Sequence, residues 1–297
     1  MDSKKYSPSA IFSNFMKWFF KSKEKYGIQW WILIIGIVIV LAMIIMALFP
    51  SLFAPFGPND MKAGEQLAAP NTQNIFGTDN LHRDVFSRVV YGSKTILGIA
   101  FVAAFFSSLI GIPLGLISGF VGGLLDRVLS LIMDSLYSFP GLILAIVFAA
   151  MLGPGVVNIT LAVAVIYIPQ YFRQVRGQTL TIKEELFVEA AHSMGASRFR
   201  ILRKYIFPNV LATVVVIFSL NIADAIMTEA ALSYLGLGLP AGIPDWGRDI
   251  AMGKKYLPSG YWWVITFPGI AIITLTLGFS MIGESLSELL NPKLRDR

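Results

Sequence analysis

Long apolar runs separated by short polar segments dominate the pattern of hydrophobic and polar positions in this chain. A bilayer core about 30 Å thick is crossed by about 20 residues of helix, so runs near that length predict membrane spans. The runs are continuous, whereas the strands of a membrane barrel alternate in polarity over about ten residues. We therefore expect an all-α polytopic membrane bundle of about six transmembrane helices, at residues 30–49, 96–117, 128–152, 156–172, 206–230 and 261–282.

The first run has two interpretations, a cleaved signal peptide and a retained anchor. Residues 30–49 are longer than the roughly 7–15 apolar residues of a signal peptide, and no Ala-x-Ala cleavage site follows Pro50. We therefore expect a retained membrane anchor.

The composition supports a membrane protein. The chain has 297 residues, of which 55% are hydrophobic and 14% are charged, whereas soluble domains carry about 25% charged residues. The sequence contains no cysteine, which excludes a disulfide framework and a thiolate metal site.

The lysine and arginine residues are distributed unevenly between the segments that join the runs. With six spans, 17 of the 24 lie on the side that holds residues 1–29, 118–127, 173–205 and the C-terminal tail. Because cytoplasmic loops retain an excess of these residues, both termini and the 173–205 loop are expected to face the cytoplasm. The net charge of +6 is therefore interpreted as a topology signal with contact to membrane lipid, and not as a nucleic-acid site.

These features give a provisional organisation of the chain. We expect a cytoplasmic tail at 1–29, an anchor at 30–49, an external segment at 50–95, a core at 96–290 that includes a loop at 183–208, and a cytoplasmic tail at 291–297.

The longest cytoplasmic connection is expected to form a helical hairpin. Residues 184–194 are good helix formers, Gly195 can end that helix in a left-handed conformation, and Ser197 can cap the next one. Leu186, Ala190 and Met194 recur at i, i+4 and i+8, which places them on one face. From the pattern alone, this face fits either an amphipathic helix lying on the membrane or a docking surface for a partner.

Glu189-Ala190-Ala191, followed by Gly195 and then by Ile206-Phe207-Pro208, resembles the EAA loop of binding-protein-dependent ATP-binding-cassette importers. Phe207 departs from that pattern, which has Leu before the proline. The resemblance implies a type I importer-like permease whose loop is a cytoplasmic coupling helix. It carries an ATPase-coupling role to Glu189, Ala190, Ala191 and Gly195.

Further motifs resemble the C-type permease subunit of dipeptide and oligopeptide importers. They are Gly77-Thr78-Asp79 with Arg83-Asp84 and Ser87-Arg88, Gly122-Gly123 with Asp126, the segment 229–238 followed by Trp246-Gly247, and the ending Asn291-Pro292-Lys293-Leu294-Arg295. His82, Lys94 and two altered acidic positions near the C-terminus are departures from the family.

The resemblance also implies the partners and the cargo. It implies a homologous second permease, two cytoplasmic ATP-binding subunits that hold ATP and Mg, and an extracytoplasmic substrate-binding protein, with no cofactor in this chain and a location in the inner membrane. Peptides are the favoured cargo. Relatives of this subfamily also carry nickel, glutathione or oligosaccharides, so these stay open as alternatives.

Polar residues inside the apolar runs are candidates for the translocation path. A charge in a membrane span is costly unless it faces water or a partner, so Asp134, Asp224 and Glu229 are expected to face inward. Asn221 and Asp224 lie at i and i+3 and could contact a zwitterionic or cationic substrate from one helix face. Pairing with the partner permease or with backbone groups is the alternative.

Other functions receive little support from the sequence. There is no Gly-x4-Gly-Lys-Ser/Thr loop that would wrap a phosphate, and His82 and His192, the two histidines, lie in segments already interpreted as topology or docking elements. We therefore expect no enzymatic activity. A gradient-driven secondary transporter would show inverted repeats and interrupted helices, and a membrane enzyme would need a catalytic cluster near one interface.

Overall fold

The computed structural model describes residues 27–290, and the tails expected at 1–29 and 291–297 lie almost wholly outside this range. Between residues 27 and 290 the chain is helical and forms no strand apart from an isolated bridge between Thr78 and Asp84. The α-helices are α1 (Ile28–Leu48), α2 (Pro50–Phe53), α3 (Val85–Val121), α4 (Gly123–Tyr137), α5 (Gly141–Leu152), α6 (Val156–Lys183), α7 (Leu186–Ser193), α8 (Arg198–Ile201), α9 (Phe207–Tyr234), α10 (Trp246–Gly253) and α11 (Trp263–Leu289).

Five of the described helical segments are long and apolar enough to cross a membrane. They are α1, α3, α6, α11, and α8 joined to α9 through a π-helical turn at Leu202–Ile206. The helices α4 and α5 make a sixth crossing if they are taken together. The expected all-helical membrane bundle is confirmed.

The third expected span is not one helix. An 86° bend separates α4 from α5, and it falls at Ser138–Pro140, where Pro140 has no N–H to donate and restricts the residue before it. By contrast, α3 continues without a break through Pro113.

Several helices extend beyond the apolar runs that predict them. The helix α3 begins at Val85, inside the segment 50–95 that was expected to be an external loop, and α6 continues to Lys183 through the first part of the expected 173–205 loop. Hydrophobicity marks the part of a helix inside the bilayer, whereas these extensions are polar and are stabilised by contacts with other segments.

Close helix contacts are made at glycines. A Cβ atom at Gly111 would lie 2.6 Å from Tyr171 Cβ, and one at Gly115 would lie 2.7 Å from the Phe172 carbonyl oxygen, so α3 and α6 approach each other without room for a side chain. The anchor α1 packs on α11 in the same way, since a Cβ at Gly36 would lie 2.8 Å from the Gly278 carbonyl oxygen.

The two ends of the bundle carry different structures. At one end the segment 54–84 and α10 form a cap over the start of α3, which is named the external cap because this end is expected to face outward. At the opposite end α7 and α8 pack against the last turns of α3 and α6 and the first turns of α9. The candidate sites lie at these two ends and along the helices that join them.

Candidate functional site

The hairpin that contains α7 is built by local signals. After α7, Gly195 has φ +78°, and the N–H groups of Gly195 and Ala196 donate to the carbonyl oxygens of His192 (2.9 Å) and Ala191 (3.1 Å). This pair of bonds is a Schellman motif, which satisfies the end of a helix and favours glycine at this position. Ser197 then caps α8 by accepting a hydrogen bond from the Arg200 N–H at 3.4 Å.

The inner face of α7 is fixed to the bundle. Val188 and Ala191 are buried in a cluster with Leu116 of α3, Val175 of α6 and Val210 of α9. Ala191 is fully buried, so its small side chain is used for packing inside this chain and not to admit an external partner. Of the residues assigned to coupling, Glu189, Ala190 and Gly195 are exposed.

The outer face of α7 is apolar and exposed. Leu186 and Met194 expose 80% and 78% of their surface, and Phe199 on α8 exposes 71%. An apolar patch of this kind on a helix that is anchored by its opposite face is typical of an interaction surface. A groove of about 400 Å³ beside it is lined by Phe120, Val121, Lys183, Glu184, Val188, Glu189, His192, Arg198 and Ile201.

The four residues expected on a translocation path do not form one site. Asp134 is exposed and pairs with Arg173 of α6 at 2.8 Å, and the Arg173 guanidinium lies 4.0 Å from the centre of the Tyr137 ring. Asp134 therefore joins the two sides of the α4–α6 contact and does not face the interior of this chain, contrary to the expectation.

Asn221 and Asp224 do not present one common face. Asn221 is fully buried in the chain and lies beside Tyr171 of α6, and its contact with a substrate stays a prediction. Asp224 is exposed on the bundle surface. It makes no hydrogen bond or ion pair within residues 27–290.

Glu229 is enclosed at the end of α9 that lies under α10. It is 1% exposed, and its Oε1 accepts a hydrogen bond from the Ser233 hydroxyl at 3.2 Å. Its Oε2 has no partner among the described residues. Glu229 is thus a buried group under α10 that faces inward as expected, and its role on the translocation path stays a prediction.

Asp245 lies next to Glu229 and caps α10. Its Oδ1 accepts from the Arg248 N–H at 3.2 Å, and its Oδ2 has no partner in the described chain. Burial, together with the negative charge of Asp249, raises the pKa of Asp245. Two buried carboxyl groups with unused oxygens therefore meet between α9 and α10.

The external cap contains contacts that were not anticipated from the sequence. Arg88 of α3 forms a buried ion pair with Asp249 of α10, and the Trp246 indole donates to the Val89 carbonyl oxygen at 2.9 Å. Ser87-Arg88 and Trp246-Gly247 were quoted as family motifs, so the signal was present, but one sequence does not show which motif residues pair with each other.

A metal centre is not indicated between residues 27 and 290. No group of three or more His, Asp or Glu side chains there could hold a metal ion.

A family model described as the inner membrane component of binding-protein-dependent transport systems matches residues 111–296. The chain belongs to this family. The resemblance drawn from the EAA loop and from the C-type motifs is confirmed by this match and by the curated relatives of the permease.

The relatives cover most of the permease. It is 36% identical to the dipeptide transport system permease protein DppC of Alkalihalophilus pseudofirmus over 88% of this chain and 86% of the relative. It is 38% identical to the probable D,D-dipeptide transport system permease protein DdpC of Escherichia coli over 86% of each chain. It is 37% identical to the glutathione transport system permease protein GsiD of Escherichia coli O6:K15:H31 over 86% of this chain and 84% of the relative.

A solved structure supports the same fold. An inward-facing conformation of the MetNI methionine ABC transporter matches the permease with a TM-score of 0.56 at 22% identity, over 68% of this chain and 96% of the other. The expected type I importer-like permease fold is therefore confirmed.

Proposed function

We propose that this permease passes di- or oligopeptides across the inner membrane together with a second, homologous permease. An extracytoplasmic binding protein delivers the cargo, and two cytoplasmic subunits bind ATP and Mg and drive the cycle. The chain itself breaks no bond in the cargo and holds no cofactor. The dipeptide and D,D-dipeptide names of the relatives support peptides as the cargo.

The proposed coupling role rests on the contrast between the two faces of α7. Its outer face offers exposed apolar side chains at Leu186, Phe187 and Met194, while its inner face is buried at Val188 and Ala191. A partner that pushes on the outer face must move the buried face and the helices attached to it. We propose that this surface seats in a groove of an ATPase subunit, with Glu189, Ala190 and Gly195 at the contact and Ala191 holding α7 on the bundle.

The direction of insertion follows from the charges. We propose that α4 and α5 together make one crossing, so that six crossings place both termini on the same side. The excess of lysine and arginine on the side of α7 favours a cytoplasmic location for that end. A protease-cleavable tag at the C-terminus should then be cut in inside-out vesicles and protected in intact cells stripped of their outer envelope.

Co-purification tests the coupling surface. The tagged permease would be purified with the ATP-binding subunits encoded beside it, comparing the wild type with Glu189→Lys and Gly195→Asp. Glu65→Lys, an exposed charge reversal in the external cap, is the matched control. Loss of the ATPases from the two α7 variants alone supports the proposal, and retention by all four proteins contradicts it.

Glutathione is the second candidate cargo. The relative named for glutathione transport is 37% identical to this chain, close to the identities of the dipeptide relatives. Uptake of labelled dipeptide, glutathione, nickel and an oligosaccharide by the complete transporter in proteoliposomes would separate these cargoes, and saturable uptake of nickel or the oligosaccharide alone would overturn the peptide proposal.

A further inference from the structure

A large open cavity lies between α6 and α9 at the end of the bundle that carries α7. Its volume is about 840 Å³, and α11 closes one side through Ser287 and Leu290. Of the motifs quoted from the sequence, only the end of the EAA loop reaches its wall, at Pro208. Its polar lining consists of Gln174, Gln178, Thr181, Glu185, Asn209, Thr213 and Ser287.

The polar side chains of the wall are ordered by helix periodicity. Gln174, Gln178 and Thr181 lie at i, i+4 and i+7 on α6, so they share one face of that helix. Val175 and Thr179, on the other face, are buried against the neighbouring helices. The amides therefore point away from the interior of the chain and into the cavity.

Most of this hydrogen-bonding capacity is unused within the described part of the chain. The Asn209 amide donates to the Tyr205 carbonyl oxygen at 2.6 Å, while the side chains of Gln174 and Gln178 make no hydrogen bond between residues 27 and 290. Amides that faced lipid would lack partners at considerable cost. Such a stripe is therefore expected where water or a polar solute fills the space.

The charge pattern restricts what the cavity can accept. Among its lining residues Glu185 is the only ionisable side chain, so the wall offers no cation for a phosphate or sulfate and no imidazole for a soft metal ion. A primary amide can both donate to and accept from a peptide bond, and a carboxylate suits an ammonium group.

We propose that this cavity is the inner vestibule of the transport path, in which Gln174, Gln178 and Asn209 exchange hydrogen bonds with the amide groups of a peptide. The inference rests on the proposed function and deepens it, since it assigns the recognition of the cargo backbone to α6 and α9.

Cysteine accessibility tests whether the cavity holds water. The chain has no native cysteine, so Gln178→Cys and Thr213→Cys each introduce a single thiol in this subunit. Val215→Cys is the matched control, because Val215 lies in the apolar part of α9 and is exposed on the side away from Thr213. The complete transporter, with any cysteines of the other subunits removed, would be treated in inside-out vesicles with a charged, membrane-impermeant thiol reagent.

Cysteines at 178 and 213 should react at least about tenfold faster than the one at 215, because a thiol must ionise in water to react and a thiol in lipid does not. Trapping the ATPases with MgATP and vanadate should slow the reaction at 178 and 213. If these positions react as slowly as 215, the space is filled by lipid or by the second permease, and the vestibule assignment is wrong.

Transport of cargo tests the role of the amides. Gln178→Leu should lower the rate of peptide uptake several-fold, whereas Gln178→Asn, which keeps the amide, should retain most of it. Both variants should still co-purify with the ATPases. Equal uptake by both variants and the wild type overturns the recognition role, whereas failure of the wild type to bind ATPases would instead overturn the proposed function.

Discussion

Arg88 on α3 and Asp249 on α10 form a buried ion pair that joins the external cap to the membrane bundle. Arg88 Nη2 lies 2.6 Å from Asp249 Oδ1, and Arg88 Nε lies 3.0 Å from both carboxylate oxygens. Arg88 Nη1 also donates to the Pro58 carbonyl oxygen at 2.9 Å. One guanidinium thus connects three segments that are distant in sequence.

Breaking this pair should destabilise the permease strongly. Asp249→Ala leaves the Arg88 guanidinium buried without its counter-charge, and such a change lowers the free energy of unfolding by about 3–5 kcal/mol. Thermal unfolding in detergent, followed by the fluorescence of the six tryptophans, would measure the loss. The double variant Arg88→Met with Asp249→Leu removes both charges and should recover most of it, whereas equal stability of Asp249→Ala and the wild type would contradict the prediction.

Replacing the carboxyl group of Asp245 by an amide is expected to stabilise the permease by an amount that depends on pH. Burial raises the pKa of Asp245, so at a pH above that raised value the folded state holds a charge that its surroundings disfavour. In the unfolded chain the carboxyl group has its ordinary, lower pKa, and the penalty disappears once the pH falls below both values. The carboxyl group of Asp245 therefore lowers the free energy of unfolding increasingly as the pH rises.

The test is Asp245→Asn, because asparagine is also a good N-cap for α10. The variant should unfold at a higher temperature than the wild type at about pH 8, and the difference should shrink towards zero as the pH falls to about 4. Asp60→Asn, an exposed change in the same cap, is the control. A difference at Asp245 that does not change with pH would show that the charge is not responsible.

The contact between α3 and α6 should not tolerate a methyl group. Gly115→Ala places a Cβ atom 2.7 Å from the Phe172 carbonyl oxygen and 3.0 Å from Val175 Cβ, so the backbones must separate. Overpacking of this kind costs about 1–3 kcal/mol. Gly98→Ala, in the same helix but with nothing within 4 Å of the added atom, should be neutral, and similar unfolding temperatures for the two variants would refute the contact.

The Trp246 indole should contribute through its hydrogen bond as well as through its volume. Trp246→Phe keeps much of the packing but leaves the Val89 carbonyl oxygen without this donor, at a cost of about 1 kcal/mol. The variant should show a small fall in unfolding temperature together with faster proteolysis of the segment 236–262. An unchanged proteolysis rate would indicate that the bond does not hold the external cap in place.

The elements that could be predicted from the sequence are those set by local signals. Apolar runs located the membrane helices, and Gly195 and Ser197 located the α7 hairpin, because these residues act through their own backbone and nearest neighbours. The ends of α3 and α6 were missed because their polar turns depend on distant partners. Arg88 needs Asp249, and Arg176 of α6 is held by Asp126 of α4 at 2.7 Å between Nη2 and Oδ2.

Which side of a helix faces the interior was the least predictable property. Ala191, Asn221 and Glu229 are buried, although the sequence suggested that each could meet a partner or a substrate. In membrane helices nearly all positions are apolar, so the polar residues alone do not distinguish a packed face from a water-filled one. The sequence of α6 does not show that Gln174 and Gln178 line a cavity beside α9.

The bend between α4 and α5 has a consequence for how the protein is made. At 1.5 Å per residue, the 15 and 12 residues of these helices extend about 22 and 18 Å, and neither reaches across a hydrocarbon layer of about 30 Å. Neither half can therefore be recognised as a membrane segment by itself during synthesis. Both halves pack on α6, so we expect their stable insertion to follow the synthesis of that helix and this part of the permease to enter the bilayer as one cooperative unit.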